Sequence, residues 1–249
     1  MTYSIVARDP ETGAFGIAVA SRFFACGSLV PHVSATAAFA SQAFVNPLWG
    51  IEGLARLGDG ESPETVLTDL IRRDAGQATR QAHMISPDGA TAQHTGADCV
   101  PWAGHVSAEN VSVAGNMLAG PAVVEDTLAA WGKAQDLPFA QRFMAAMEAG
   151  ERAGGDKRGK QAAALLIHSG QPYPALDLRV DDHADPLAEL RRLMDVAEER
   201  YTVFRTAIPT VENFSGMVDR APLDAAIAAN ERQRAENGVI SRSFATPPD

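Results

Sequence analysis

Cysteine is almost missing from this chain. Cys26 and Cys99 are the only two in 249 residues, too few for a disulfide framework and compatible with a reducing cytoplasm. Positive charge is also scarce: 21 Lys and Arg stand against 31 Asp and Glu, a net charge of −10, and no lysine precedes Lys133. Phosphate recognition needs clustered Lys and Arg, so nucleic acid is not an expected partner. Apolar runs stay short of the roughly 18–20 residues that span a bilayer, and the start lacks a basic stretch followed by an apolar core. The expectation is an acidic, globular, cytoplasmic protein with no membrane partner. What is present is core material, 46% of the residues being apolar, enough for one large domain or two small ones.

The first chemical signal is Thr2, next to the initiator Met1. Methionine aminopeptidase generally removes Met before a small residue such as threonine. The freed α-amine titrates near ~7.7–8.0 and can take the hydroxyl proton, turning the Thr2 oxygen into a nucleophile. Thr2 also opens a strand, Thr2 to Ala7, that turns at Asp9-Pro10-Glu11-Thr12-Gly13 into a second, Phe15 to Ser21.

Further strands are read over Ser34 to Gln42, the hairpin Arg80 to Ser86 and Ala90 to Thr95 around Pro87-Asp88-Gly89, Asn110 to Asn116, Gln161 to Ile167 and Ala175 to Val180. Helices are read after the caps Asn46-Pro47 and Ser62-Pro63, over Ala122 to Lys133 and Pro138 to Arg152, from Pro186 through Phe204, and over Leu223 to Asn237 before a polar tail ending Pro247-Pro248-Asp249. Ile17 to Ala20, Ala35 to Ala40 and Ala162 to Ile167 are apolar on both faces, as in strands covered on both sides. The hairpin turns are far too short for parallel crossovers. Antiparallel strands buried on both faces call for two sheets packed together with helices outside each. The fold class is therefore α+β, a four-layer α/β/β/α sandwich over residues 1–206, with residues 207–249 as an arm packing on the domain or on a partner subunit.

A strand-opening Thr2 in such a sandwich resembles the N-terminal nucleophile (Ntn) hydrolases. More closely, the chain resembles a bacterial Ntn-hydrolase-like family, domain of unknown function 1028. The stretches that carry the resemblance are Tyr3-Ser4-Ile5-Val6-Ala7 with Asp9-Pro10, Ala18-Val19-Ala20-Ser21-Arg22-Phe23 and Pro101-Trp102-Ala103-Gly104-His105. They continue with Gly115-Asn116-Met117-Leu118-Ala119-Gly120, Gly154-Gly155-Asp156-Lys157-Arg158-Gly159 and Leu178-Arg179-Val180-Asp181-Asp182-His183.

Amide cleavage through a terminal threonine needs a nucleophile with its amine, an oxyanion donor and a group that tunes the amine. Thr2 supplies the first. Arg22, closing the second strand, would depress the amine pKa or hold a substrate carboxylate. Asn116, at a strand end, would donate to a developing oxyanion, or close its own turn through a backbone bond. Asp156 would receive the terminal amine or fix Arg22, or sit in a merely solvated charged loop. Arg22, His105 and Arg158 are the candidates for holding substrate. Proteasome-type Ntn enzymes carry an acid before the Ser-Arg of the second strand and a lysine on the third. Here Ala20 holds the acid's place, so of that triad only the threonine remains. Asp181-Asp182-His183 reads as a helix cap, and His83 and His94 face opposite sides of their hairpin, so no metal and no organic cofactor is expected. Two functions follow: an amidohydrolase acting on a small anionic amide through Thr2, or a non-catalytic binding or assembly protein on the same scaffold. Ala-rich helices and the arm favour a homo-oligomer in either case.

Overall fold

The computed structural model describes residues 2–245. Met1, whose removal the Thr2 chemistry requires, and the Pro247-Pro248-Asp249 ending lie outside the described residues. β1 (Thr2–Arg8) and β2 (Phe15–Ser21) pair in the register Tyr3↔Ala20 to Arg8↔Phe15. Their turn is tied by Asp9, whose Oδ1 accepts the Glu11 N–H at 3.1 Å, and Gly13 takes the positive φ (72°) that the turn needs.

The remaining strands are β3 (Pro31–Val33), β4 (Ala38–Ala43), β5 (Arg80–Ile85), β6 (Thr91–Thr95), β7 (Gly104–Ala108), β8 (Val111–Asn116), β9 (Ala162–His168) and β10 (Leu176–Val180). They form two sheets of antiparallel pairs, one ordered β10-β9-β2-β1-β8-β7 and one β3-β4-β5-β6. α1 (Pro47–Gly58) and α2 (Pro63–Arg73) start where their caps predict: Asn46 Oδ1 accepts the Leu48 N–H at 3.1 Å and Ser62 Oγ the Thr65 N–H at 3.2 Å. Phe39 and Met84 of the smaller sheet pack on Trp49, Leu57 and Leu70 of these helices. α3 (Ala122–Lys133) and α4 (Phe139–Arg152) cover the outer face of the larger sheet, where the Tyr3 hydroxyl donates to Met147 O at 2.9 Å. Between the sheets lie Val6, Ile17 and Val19 against Ala38, Ala40 and Ile85. This is the four-layer sandwich expected from the doubly apolar strands.

Three elements differ from the sequence reading. The single strand over Ser34 to Gln42 is instead the hairpin β3–β4, because the Ser34 hydroxyl accepts the Thr36 and Ala37 N–H groups at 3.2 Å each and bends the chain there. β7 was not expected: it is a half-exposed edge strand without apolar alternation. The helix read from Pro186 through Phe204 ends at Ala197 (α5, Pro186–Ala197) and resumes as α6 (Tyr201–Arg205), since Arg200 leaves helical geometry at φ −144°.

The chain clusters into two compact units, the first ending at Leu187 and the second beginning at Ala188. The second holds most of α5, all of α6 and α7 (Ala221–Glu236). Asn230 Nδ2 donates to the Glu198 and Glu199 carbonyls, and the Arg192 guanidinium lies 3.9 Å from the Phe244 ring centre.

Candidate active site

Strand register assembles the site. β1 sits between β2 and β8, so Thr2 at its start has Ser21 on one side and Asn116 on the other. The Thr2 hydroxyl donates to Ser21 Oγ at 3.1 Å, and Thr2 and Asn116 are cross-strand partners. All three are 3–5% exposed. Side chains two apart share a face, so Thr2, Ser4 and Val6 point into the layer between the sheets. That layer changes character along β1. Near Val6 it is apolar; toward Thr2 it becomes polar.

The polar part is one connected network. Ser4 Oγ donates to Gln42 Oε1 at 2.7 Å and meets His83 Nε2 at 2.8 Å, and His83 Nδ1 meets Ser112 Oγ at 3.1 Å. Gln42 Nε2 donates to Gln81 Oε1 at 2.9 Å and Ala114 O at 3.3 Å. Gln81 Oε1 also accepts from Asn116 Nδ2 at 2.9 Å, while Gln81 Nε2 faces Gly115 O, Thr95 Oγ1 and Gly104 O at 2.8, 2.9 and 3.1 Å. Buried polar groups are costly unless paired, about 1–3 kcal/mol for each orphan, and this layer pairs them across both sheets. Ala43 and Met117, which follow Gln42 and Asn116, have positive φ of 68° and 57°. That region costs an L-residue roughly 1–2 kcal/mol, and the surrounding packing holds it at the ends of the two strands.

Burial drives the His83 imidazole down from its ordinary range to about 3, with His105 adding repulsion. The sign is definite. An unfolded chain binds a proton at His83 near pH ~6.5, the folded one only near 3, so this part of stability is present above pH ~6.5 and is lost as pH falls toward 3. The expected slope is at most about 1.4 kcal/mol per pH unit. Urea unfolding of wild type and His83→Phe at pH 6.5 and 4.5 checks it; equal losses in the two proteins would exclude the histidine as the source.

Asp156 is 7% exposed and bridges to Leu118 beyond the end of β8. Its carboxylate accepts the Arg22 N–H at 2.8 Å, the Arg158 N–H at 2.8 Å and the Arg158 guanidinium at 3.3 Å. It therefore fixes Arg22 through the main chain. The Arg22 side chain is exposed and passes Gly159, where a Cβ would lie 3.9 Å from Arg22 Cδ. Among the described residues no carboxylate is ion-paired to it. Arg158 also donates to Arg22 O at 3.0 Å. His105, on the edge strand β7, meets Thr95 Oγ1 through Nδ1 at 3.0 Å and thereby touches the network from outside; burial lowers its pKa.

Thr2, Asn116, Arg22, Asp156 and Arg158 thus come to one end of the larger sheet, with Thr2 and Asn116 facing inward and Arg22 facing solvent. Sequence reading missed Gln42, Gln81 and the inward role of His83. The available signal was polar residues two or four positions apart, Thr2/Ser4, Gln81/His83 and Ser112/Asn116, on strands with buried faces. A cleft of about 1040 Å³ opens at the other end of β1 between the Asp9–Ala14 turn and Trp131, Phe139 and Arg142. A seven-residue strand puts it roughly 20 Å from Thr2.

Comparison with known proteins decides the family. The model of the Family of unknown function (DUF1028) matches residues 2–190. The chain belongs to this family. Protein SPO2555 from Silicibacter pomeroyi, a crystal structure of the DUF1028 family, is similar at 32% identity and a TM-score of 0.81, covering 88% of this chain and 96% of its own. Among curated proteins nothing matches. The DUF1028 region takes in both sheets and every residue of the Thr2 site.

No helix among the described residues is long and apolar enough to cross a membrane, and no group of three or more His, Cys, Asp or Glu there is arranged to hold a metal ion.

Proposed function

We propose that this DUF1028 protein is an amidohydrolase of the N-terminal nucleophile type, with Thr2 as nucleophile and a small anionic amide as substrate. The observation that carries the reading is the position of Thr2. It begins the central strand, faces the layer between the sheets, and lies between Ser21 and the Asn116 amide. Once Met1 is removed, the Thr2 amine takes the hydroxyl proton and Oγ1 attacks the substrate carbonyl. The C–N bond breaks, the amine proton passes to the departing nitrogen, and water then hydrolyses the acyl-Thr2 ester. Asn116 has two amide hydrogens and gives one to Gln81; the other serves the oxyanion. No metal enters this scheme. The guanidinium of Arg22, to which no carboxylate among the described residues is ion-paired, holds the substrate's carboxylate.

A carboxylate-bearing β-lactone tests this. Attack by Thr2 opens the ring: the acyl C–O bond breaks, the ring oxygen takes the proton, and the protein gains the full mass of the probe. Wild type is expected to be labelled at Thr2. Arg22→Ala should weaken probe binding about 10–100-fold, the equivalent of one hydrogen bond to a charged group at ~1.5–3 kcal/mol, while leaving the methyl ester of the probe unaffected. Equal losses with both probes would remove Arg22 from substrate binding.

One observation favours the alternative, a non-catalytic binding or assembly protein. The Asp156 carboxylate is occupied by Arg22 and Arg158, so it holds loops together. A protein that takes up no β-lactone but retains a carboxylate ligand in calorimetry would belong to that class.

A further inference from the structure

The buried network has one proton order, and backbone carbonyls set it. A carbonyl oxygen only accepts. Gly115 O and Gly104 O face one end of the Gln81 amide, so that end is nitrogen. Its oxygen is therefore turned to Gln42 and Asn116, and both must meet it with nitrogen. For Gln42 the same follows independently, because its nitrogen also faces Ala114 O. Gln42 Oε1 then takes the Ser4 hydroxyl hydrogen. Ser4, having spent that hydrogen, can only accept from His83 Nε2, which fixes this ring as the Nε2–H tautomer with Nδ1 accepting from Ser112.

The consequence reaches the candidate active site. Asn116 ends its strand and Met117 turns away after it, so nothing in the main chain alone determines which end of its amide faces the interior. Gln81 does. We propose, resting on the hydrolase reading above, that Gln81 is the positioning residue for Asn116: it accepts one Nδ2 hydrogen and holds the amide so that the second is available to the substrate oxygen at Thr2. Gln81 touches no reacting atom. It is fully buried and reaches Asn116 from the other sheet, so the oxyanion donor of one sheet is aimed by the other. The identity of Gln81 matters for this: Glu at the same place would face two carbonyls with an acceptor, and an apolar residue would leave Asn116 free to turn over.

Two readouts test the proposal. In uniformly 15N,13C-labelled wild type, a through-hydrogen-bond correlation is expected between Asn116 Nδ2 and Gln81 Cδ. Its absence from a folded protein overturns the proposed order. In Gln81→Ala, folded by circular dichroism, the maximal rate of Thr2 acylation by the β-lactone should fall at least about tenfold while the probe's half-saturating concentration stays within about twofold. This split is expected of a donor that acts only in the transition state. An unchanged maximal rate overturns the positioning role, since lost packing alone would lower stability and leave the rate intact. If Gln81→Ala does not fold, the wild-type correlation decides. Failure of wild type to take up any probe defeats the hydrolase reading separately, and the correlation then judges the orientation of Asn116 alone.

Discussion

Thr2→Ala is expected to reduce acylation by the β-lactone at least about 10³-fold, because removing a nucleophile leaves only binding and the oxyanion donor. The fold should survive. Among the described residues the Thr2 side chain makes one hydrogen bond, to Ser21, so the loss of stability should be on the order of 1 kcal/mol. Thr2→Ser keeps a hydroxyl and an amine and should retain labelling, which separates chemistry from packing. Alanine and serine are also small enough for Met1 to be removed, so all three proteins begin alike. The rate should rise with pH through ~7.7–8.0, the range in which an α-amine becomes neutral and can act as base, and fall below it. A Thr2→Ala protein labelled at the wild-type rate would place the nucleophile elsewhere.

The second large effect is on stability. Phe143→Ala should cost about 3–5 kcal/mol, the usual range for emptying a buried aromatic site. Phe143 is fully buried in α4, with ring centres 4.9 Å from both Trp131 and Phe139. It also presses on the sheet at Gly16, where a Cβ would lie 2.7 Å from its Cε2. Because Gly16 lies on β2, beside the strand that carries Thr2, the loss should appear in urea unfolding as a lower midpoint with an unchanged slope. A loss below about 1 kcal/mol would mean that α4 does not clamp the sheet as described.

Much of this architecture was readable because local signals agreed. Asn46-Pro47 and Ser62-Pro63 cap helices at the expected places, and Pro87-Asp88-Gly89 closes its hairpin with the Ser86 N–H on Ala90 O at 3.0 Å. His83 and His94 do face opposite sides, pairing with Gln93 and Ala82. Strands apolar on both faces required two sheets. The turn at Ser34 was hidden because it depends on one hydroxyl bonding two N–H groups, within a run that has no Gly, Pro, Asn or Asp to mark a turn.

The site was less legible for a different reason. Thr2 and Asn116 could be picked singly, but their adjacency is a matter of register, and β1–β8 pairing joins residues 114 positions apart. Gln42 and Gln81 carry no motif at all. A glutamine in a strand is unremarkable until the opposite sheet supplies its partners. Arg22 was read as tuning the amine or holding substrate; it follows the end of β2, its side chain is exposed, and its main-chain N–H binds Asp156.

The measurement that bears most directly on the account is the intact mass of the protein purified from its native host, before and after exposure to the β-lactone. The account predicts a chain lacking Met1 that gains one probe mass, located at Thr2 by peptide sequencing. A chain that retains Met1 and gains no mass would contradict it, since Thr2 would then have no amine to activate it.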